Sequence, residues 1–151
     1  MARTWLQIQV ELEGGRDIEC DPRPGRILIV GPSHTFAQLA EAIDVAFARW
    51  DFSHLHLFEL ADGREIGFAD VEPGEHAWLD HDALKVTREL KPGDRFRYTF
   101  DFGDDWRHRC EVLADKVDPR QEWGPGPLPR APVPTWGWGW MPDQYGRVSL
   151  D

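Results

Sequence analysis

The sequence predicts an α+β domain, a mixed sheet of about five or six strands crossed by one main helix, followed by a proline- and tryptophan-rich extension. Three observations carry this reading. Several short segments alternate apolar and polar residues at the period of a strand. One segment, from Thr35 to Trp50, repeats apolar residues at steps of three and four. After Val117 that patterning stops and Pro, Gly and Trp dominate. The expected division is therefore a domain over 1–117 and an extension over 118–151.

Trp5 to Leu12 sets Leu6, Ile8, Val10 and Leu12 against Trp5, Gln7, Gln9 and Glu11, which predicts a strand with an aliphatic inner face. Gly14-Gly15 and Asp21-Pro22-Arg23-Pro24-Gly25 read as turns. Arg26 to Val30 is a continuous apolar run, suited to a central strand, and Gly31-Pro32 ends it. Thr35 with Gln38 fits a capping box, and Phe36, Leu39, Ala40, Ile43, Phe47 and Trp50 form one helical stripe behind it. The order strand, strand, helix is the opening of a β-grasp, so the sheet is expected to be β-grasp-like. His54 to Leu60 predicts a further strand, returned through Asp62-Gly63 into Glu65–Phe68. From Glu59 to Asp82 eight acids face Arg64 alone, and with Pro73-Gly74 this predicts an exposed loop. Asp82 to Leu90 suits either a short helix capped by Asp82 or an extended piece.

The densest chemistry lies in Tyr98 to His108. Phe96, Tyr98 and Phe100 alternate with Arg95, Arg97, Thr99 and Asp101; beyond Phe102-Gly103-Asp104-Asp105, Trp106, His108, Cys110 and Val112 alternate with Arg107, Arg109 and Glu111. That is an antiparallel hairpin with an acidic turn, whose aspartates accept from nearby backbone amides. This run resembles the hallmark segment of the plasmid pRiA open-reading-frame-three-like family, through Tyr98, Phe100, Asp101, Phe102, Gly103, Asp104, Asp105, Trp106 and His108. A second family element is matched by Trp50, Asp51, Ser53, His54, Leu55 and His56. The resemblance spans roughly residues 5–115 in the correct order. It implies a compact α+β domain similar to a β-grasp, in a family carried by plasmids and insertion sequences as well as chromosomes, and it implies no activity.

Composition narrows the function classes. The net charge is −10, from 27 acids and 17 bases. That balance argues against a phosphate-binding surface unless the bases cluster. Arg95, Arg97, Arg107 and Arg109 come nearest to a cluster, but Glu111 and Asp101 interrupt them, so a charge-paired sheet face is expected. Cys20 and Cys110 stand far apart, without the spacing of a zinc site or a disulfide framework. No apolar run approaches the roughly 18 residues of a membrane span, and no leader pattern is visible, so a cytoplasmic protein is expected.

Two sets of residues are functional candidates. His54 and His56, two apart on one predicted strand, would point the same way. With Asp101, Asp104, Asp105 and His108 they form a candidate polar or metal site for a divalent ion such as Mn, Fe, Zn or Mg, able to activate water for hydrolysis. Against this stands a structural role for the same histidines, which the residue pattern favours. Trp136, Trp138 and Trp140 are candidates for binding a partner. Seven prolines and four tryptophans between Pro119 and Pro142 rule out a regular helix or a central strand there. The extension is expected to wrap the domain with its tryptophans in surface grooves, the alternative being a free arm.

No nucleophile elbow, phosphate loop or helix-turn-helix pattern is present in the sequence. The expected function is thus a non-catalytic binding or accessory module for a protein or peptide, as a monomer or dimer. The alternative is a metal-dependent hydrolase or nuclease using the six His and Asp residues. A weaker one is a nucleic-acid-binding accessory of a mobile element.

Overall fold

The computed structural model describes residues 4–69 and 78–147. Its core is a mixed α+β arrangement: one large, mostly antiparallel sheet with few and short helices. Among the described residues the sheet has nine strands rather than five or six. In chain order these are β1 (Leu6–Gly15), β2 (Ile18–Glu19), β3 (Gly25–Val30), β4 (His56–Leu60), β5 (Glu65–Gly67), β6 (Leu79–Asp80), β7 (Arg95–Phe100), β8 (Trp106–Ala114) and β9 (Val133–Trp138). They lie side by side as β6-β5-β4-β7-β8-β1-β3-β9, with β2 returning on β1. Only β5 and β6 run parallel among the described residues. The helices are α1 (Phe36–Ala46), α2 (Val86–Glu89) and α3 (Pro119–Glu122).

Helix α1 starts where its capping box demands. Thr35 Oγ1 accepts from Gln38 N at 3.2 Å, and Gln38 Oε1 accepts from Thr35 N at 2.9 Å. Phe36, Leu39, Ala40, Ile43 and Phe47 are all buried against the sheet, beside Leu6, Ile8, Val10 and Leu12 of β1 and the aromatics of β4 and β7. The helix stops at Ala46, because Ala48 turns left-handed at φ +61°. Trp50 therefore leaves the apolar stripe and is exposed. The predicted Asp82 cap is replaced by Lys85, which starts the single turn of α2.

Gly14 and Gly15 do not turn the chain. They extend β1, and the turn falls on Arg16 and Asp17, at φ +49° and +61°. The reason is the Trp106 ring, which lies where a Cβ on Gly15 would stand, 2.4 Å from its nearest atom. A side chain at 15 would expel that indole from the core.

The charged face of the hairpin is paired. Arg95 meets Glu111 at 3.3 Å, Arg97 meets Glu13 at 3.3 Å, and Arg107 meets both Glu19 and Asp105. Exposed pairs of this kind contribute only about 0–1 kcal/mol each, but they offset the charge of Arg95, Arg97 and Arg107. In the acid-rich segment β5 and β6 form strands, while Asp70, Glu72, Pro73-Gly74 and Glu75 lie outside the described residues.

The C-terminal extension supplies an edge strand. Among the described residues β9 pairs only with β3, which lets it carry Pro134 without losing a needed donor. The added strand makes β3 an inner one, so its consecutive Leu28, Ile29 and Val30 are all fully buried. Upstream, His34 donates through Nε2 to Pro129 O at 3.1 Å, and Gln38 Nε2 donates to Arg130 O at 3.2 Å. The tryptophans do not share one fate. Trp138 packs over Gly25, whereas Trp136 and Trp140 are 68% and 77% exposed rather than set in grooves.

Candidate functional site

A cleft of about 240 Å³ opens between α1 and the end of the sheet formed by β4 and β7. Its helical wall is Ala37, Glu41 and Asp44, spaced four and three residues apart so that they line one stripe of α1. Phe52 and His54 reach it from the loop before β4, His56 from the start of β4, Phe68 from just beyond β5, and Phe100 from the end of β7. Three phenylalanines and two acids thus face one another, and neither lysine nor arginine lines the space.

Asp44 is 3% exposed. Tyr98, fully buried below it, donates its hydroxyl to the carboxyl group, 2.9 Å from both oxygens. Burial raises the Asp44 pKa to about 7, helped by Glu41 and opposed by Arg49 and the Tyr98 hydrogen bond. Arg49 is itself buried, with its guanidinium 5.3 Å from the Trp106 ring centroid, 5.5 Å from Phe47 and 5.8 Å from Phe100. Burial lowers its pKa to about 10, which still leaves it a cation.

Among the described residues the six candidates do not all come together in one cluster. His54 precedes β4 rather than sharing the strand with His56, so their alternation is broken. His54 joins Asp101 and, unexpectedly, Asp51 and Tyr145. Its Nε2 lies 2.6 Å from Tyr145 Oη and 3.6 Å from one oxygen of each aspartate. The Tyr145 hydroxyl donates to Asp51 at 2.8 Å, so it accepts from the His54 Nε2–H. Asp51 is held down to about 2 by hydrogen bonds from Ser53 and Tyr145, and Tyr145 is pushed up to about 12 by that same carboxylate.

His56 is buried and bonds instead to His81, Nε2 to Nδ1 at 2.8 Å. His81 Nε2 faces Asp82 at 3.4 Å, which leaves its Nδ1 to accept from the His56 Nε2–H. Burial, then His81, lowers the His56 pKa to about 4. His108 is sealed in the core. Its Nδ1 donates to Tyr98 O at 2.9 Å and its ring meets Phe47 edge-on. Asp101 turns left-handed at φ +62° and accepts from Gly103 N and Asp104 N through Oδ1, the turn role expected of it. Asp104 and Asp105 pair with Arg16 and Arg107.

Among the described residues one set of three ligand-type groups lies within 4.8 Å, namely Asp80, His81 and Asp82. Asp80 Oδ1 already accepts from Asp82 N at 2.8 Å, as in an Asx turn, and none of the six candidates belongs to this set.

Sequence reasoning missed Asp44, Arg49, His81, Gln144 and Tyr145. Asp44 carried a signal: it sits between Ile43 and Phe47 at the edge of the apolar stripe of α1. Gln144 carried none. It is 1% exposed, accepts from Trp50 N and Asp51 N, and donates to Asp51 O at 2.8 Å, latching the extension to the rim of the cleft. Gln144→Ala strands two amides, at a cost of about 1–3 kcal/mol. Limited proteolysis is expected to cut the extension faster in this variant; an unchanged cleavage rate would show that the latch is not what holds it.

Comparison with known proteins bears on lineage and fold. The profile of the plasmid pRiA4b ORF-3-like proteins matches residues 4–126. The chain belongs to that family. No curated protein matches it. Among solved structures it is similar to MM3350, a protein of unknown function from Methanosarcina mazei Go1. The TM-score is 0.67 at 21% identity, over 95% of this chain and 74% of that one. At that identity the likeness extends to the fold alone. In this family member, the match runs through β8 and α3 and stops short of β9, Gln144 and Tyr145. No described helix is long and apolar enough to cross a membrane.

Proposed function

We propose that this family member is a non-catalytic binding or accessory module that receives part of a protein or peptide in the cleft between α1 and β4/β7. One observation carries the reading. The polar groups around the cleft are already engaged with one another, Tyr98 with Asp44, His56 with His81, and Tyr145 with His54 and Asp51, while Phe52 stands half exposed and Phe68 partly exposed over the buried Phe100. An apolar pocket with a few placed polar groups is what recognition uses. Hydrolysis needs a base and a reacting position within reach of each other, and the six-residue metal arrangement separates its members. Three of the four arginines of the stripe, Arg95, Arg97 and Arg107, are engaged in ion pairs, which lends little to a nucleic-acid role.

The test is a peptide library displayed against the full chain, followed by calorimetry of the selected peptides. Phe52 is half exposed on the cleft wall, so Phe52→Ser should change stability by no more than about 0.5 kcal/mol. Its expected effect on the selected peptides is a loss of about ten-fold in affinity, the worth of a buried aromatic contact at a binding site. Peptides that bind this variant as tightly as the original chain, or a library that yields no binder, would sink the proposal.

A further inference from the structure

The chemistry of the cleft goes beyond an apolar hole. Its walls include Phe52, Phe68 and Phe100, its lining includes the buried Asp44, and Glu41 is exposed one helical turn before Asp44. An occupant that satisfies both features has an apolar stem and a positive end. Among side chains that description leaves lysine and arginine. The two differ in what they require of a carboxylate. A guanidinium is best held by two free oxygens in a fork, whereas an ammonium is a compact charge that needs a single acceptor direction. The Tyr98 hydroxyl, 2.9 Å from both oxygens of Asp44, sits between them where a guanidinium fork would close, so the fork is blocked and a single direction at one oxygen remains.

We propose that the cleft takes the side-chain ammonium of a lysine on a partner polypeptide, with the methylene stem against Phe52, Phe68 and Phe100 and the charge at Asp44 and Glu41. This rests on the binding-module reading and names its ligand. Charge complementarity supports the choice of occupant: among the described residues neither lysine nor arginine lines the cleft, Asp51 and Asp101 stand beside its His54 wall, and the whole chain carries −10. Arg49, stacked on Phe100 and acting on Asp44 through its charge, lies outside the lining.

Lysine binding should be linked to protons. The groups facing Asp44 are Glu41 and Arg49 from the helix and its end, Tyr98 from β7, and His54 and His56 across the cleft. Asp44 has its pKa near 7, so a bound ammonium favours its ionised form and affinity should rise between pH 6 and 8.

The experiment is an amide NMR titration of the full chain with three probes: the Nα-acetyl N-methylamides of lysine, norleucine and arginine. The expected result is saturable shifts at Ala37, Glu41, Asp44 and His56, with lysine about ten-fold tighter than norleucine and tighter than arginine. Asp44→Asn should remove the preference for lysine and its pH dependence while leaving norleucine unchanged. Glu41→Gln, at an exposed position, should weaken lysine alone and serves if the Asp44 variant does not fold. Equal binding of lysine and norleucine overturns the lysine assignment and leaves the module intact. Silence from all three probes, with selected peptides still sensitive to Phe52→Ser, overturns the assignment alone. Silence together with insensitivity removes both proposals.

Discussion

Trp106→Ala should lower the unfolding free energy by about 3–5 kcal/mol, the range for deleting a large aromatic from a packed core. Trp106 is 1% exposed, fills the space over Gly15, and lies 5.3 Å below the guanidinium of Arg49. Removing the indole therefore opens a cavity and also takes one of three aromatic faces from a buried cation. A cation–π contact desolvated in this way contributes about 2 kcal/mol, so the effect should fall in the upper part of the range. Domains of this size are stable by about 5–15 kcal/mol, which makes the loss a large fraction of the total. Urea unfolding of Trp106→Ala and Trp106→Phe checks it. The phenylalanine variant keeps a ring under Arg49 and should lose less than half as much. Equal losses would mean that the stacked cation contributes nothing.

The second large effect is in the pH dependence of stability. His56 has its pKa depressed to about 4 from an ordinary 6.5, because burial and His81 disfavour its charged form. The unfolded chain therefore takes up a proton as pH falls below 6.5, while the folded chain does not until about 4. The contribution of His56 is complete above 6.5 and shrinks as pH falls through that window, by up to about 3 kcal/mol. His108, depressed in the same direction by burial and Arg49, acts with the same sign. Asp44 acts with the opposite sign. Its raised pKa means that the folded chain holds a proton which the unfolded chain has lost, so its contribution declines as pH rises from 3.8 to about 7. Two histidines outweigh Asp44 between pH 4 and 6.5, so the wild-type profile should fall toward acid with about the slope of a single group, and the variants should unmask its parts. Asp44→Asn should leave a profile that falls steeply toward acid. His56→Gln should leave one that falls less than the wild type, or rises. Urea midpoints at half-unit pH steps decide this; parallel profiles for all three chains would contradict it.

Both predictions concern residues that sequence patterning placed unequally well. Trp106 shares one face with His108, Cys110 and Val112, and a strand with one apolar face has to bury it. The hairpin, the capping box and the aliphatic face of β1 are local features, set by a period of two or by residues three apart, so they can be read without the fold. The family resemblance rests on the same local runs. The cleft is different in kind. Asp44 reads as a polar residue near the edge of an amphipathic helix until β7 brings the Tyr98 hydroxyl against it. His56 reads as half of a pair with His54 until β6 delivers His81 and the pair is remade.

What the sequence by itself determined is the inward face of each longer strand, the start of α1, and the turn chemistry of Asp101, because neighbouring residues settle these. The tertiary structure alone decided the number of strands, the partners of the histidines and the path of the extension. Gln144 meets Trp50 and Asp51 across more than ninety intervening residues, and Pro134 is tolerated because β9 happens to take an edge. Such contacts depend on which elements come together over long loops, and no periodicity along the chain encodes that. The same dependence explains why the acids and phenylalanines of the cleft, drawn from α1, β4, β7 and two loops, became a site only once the sheet had closed around the helix.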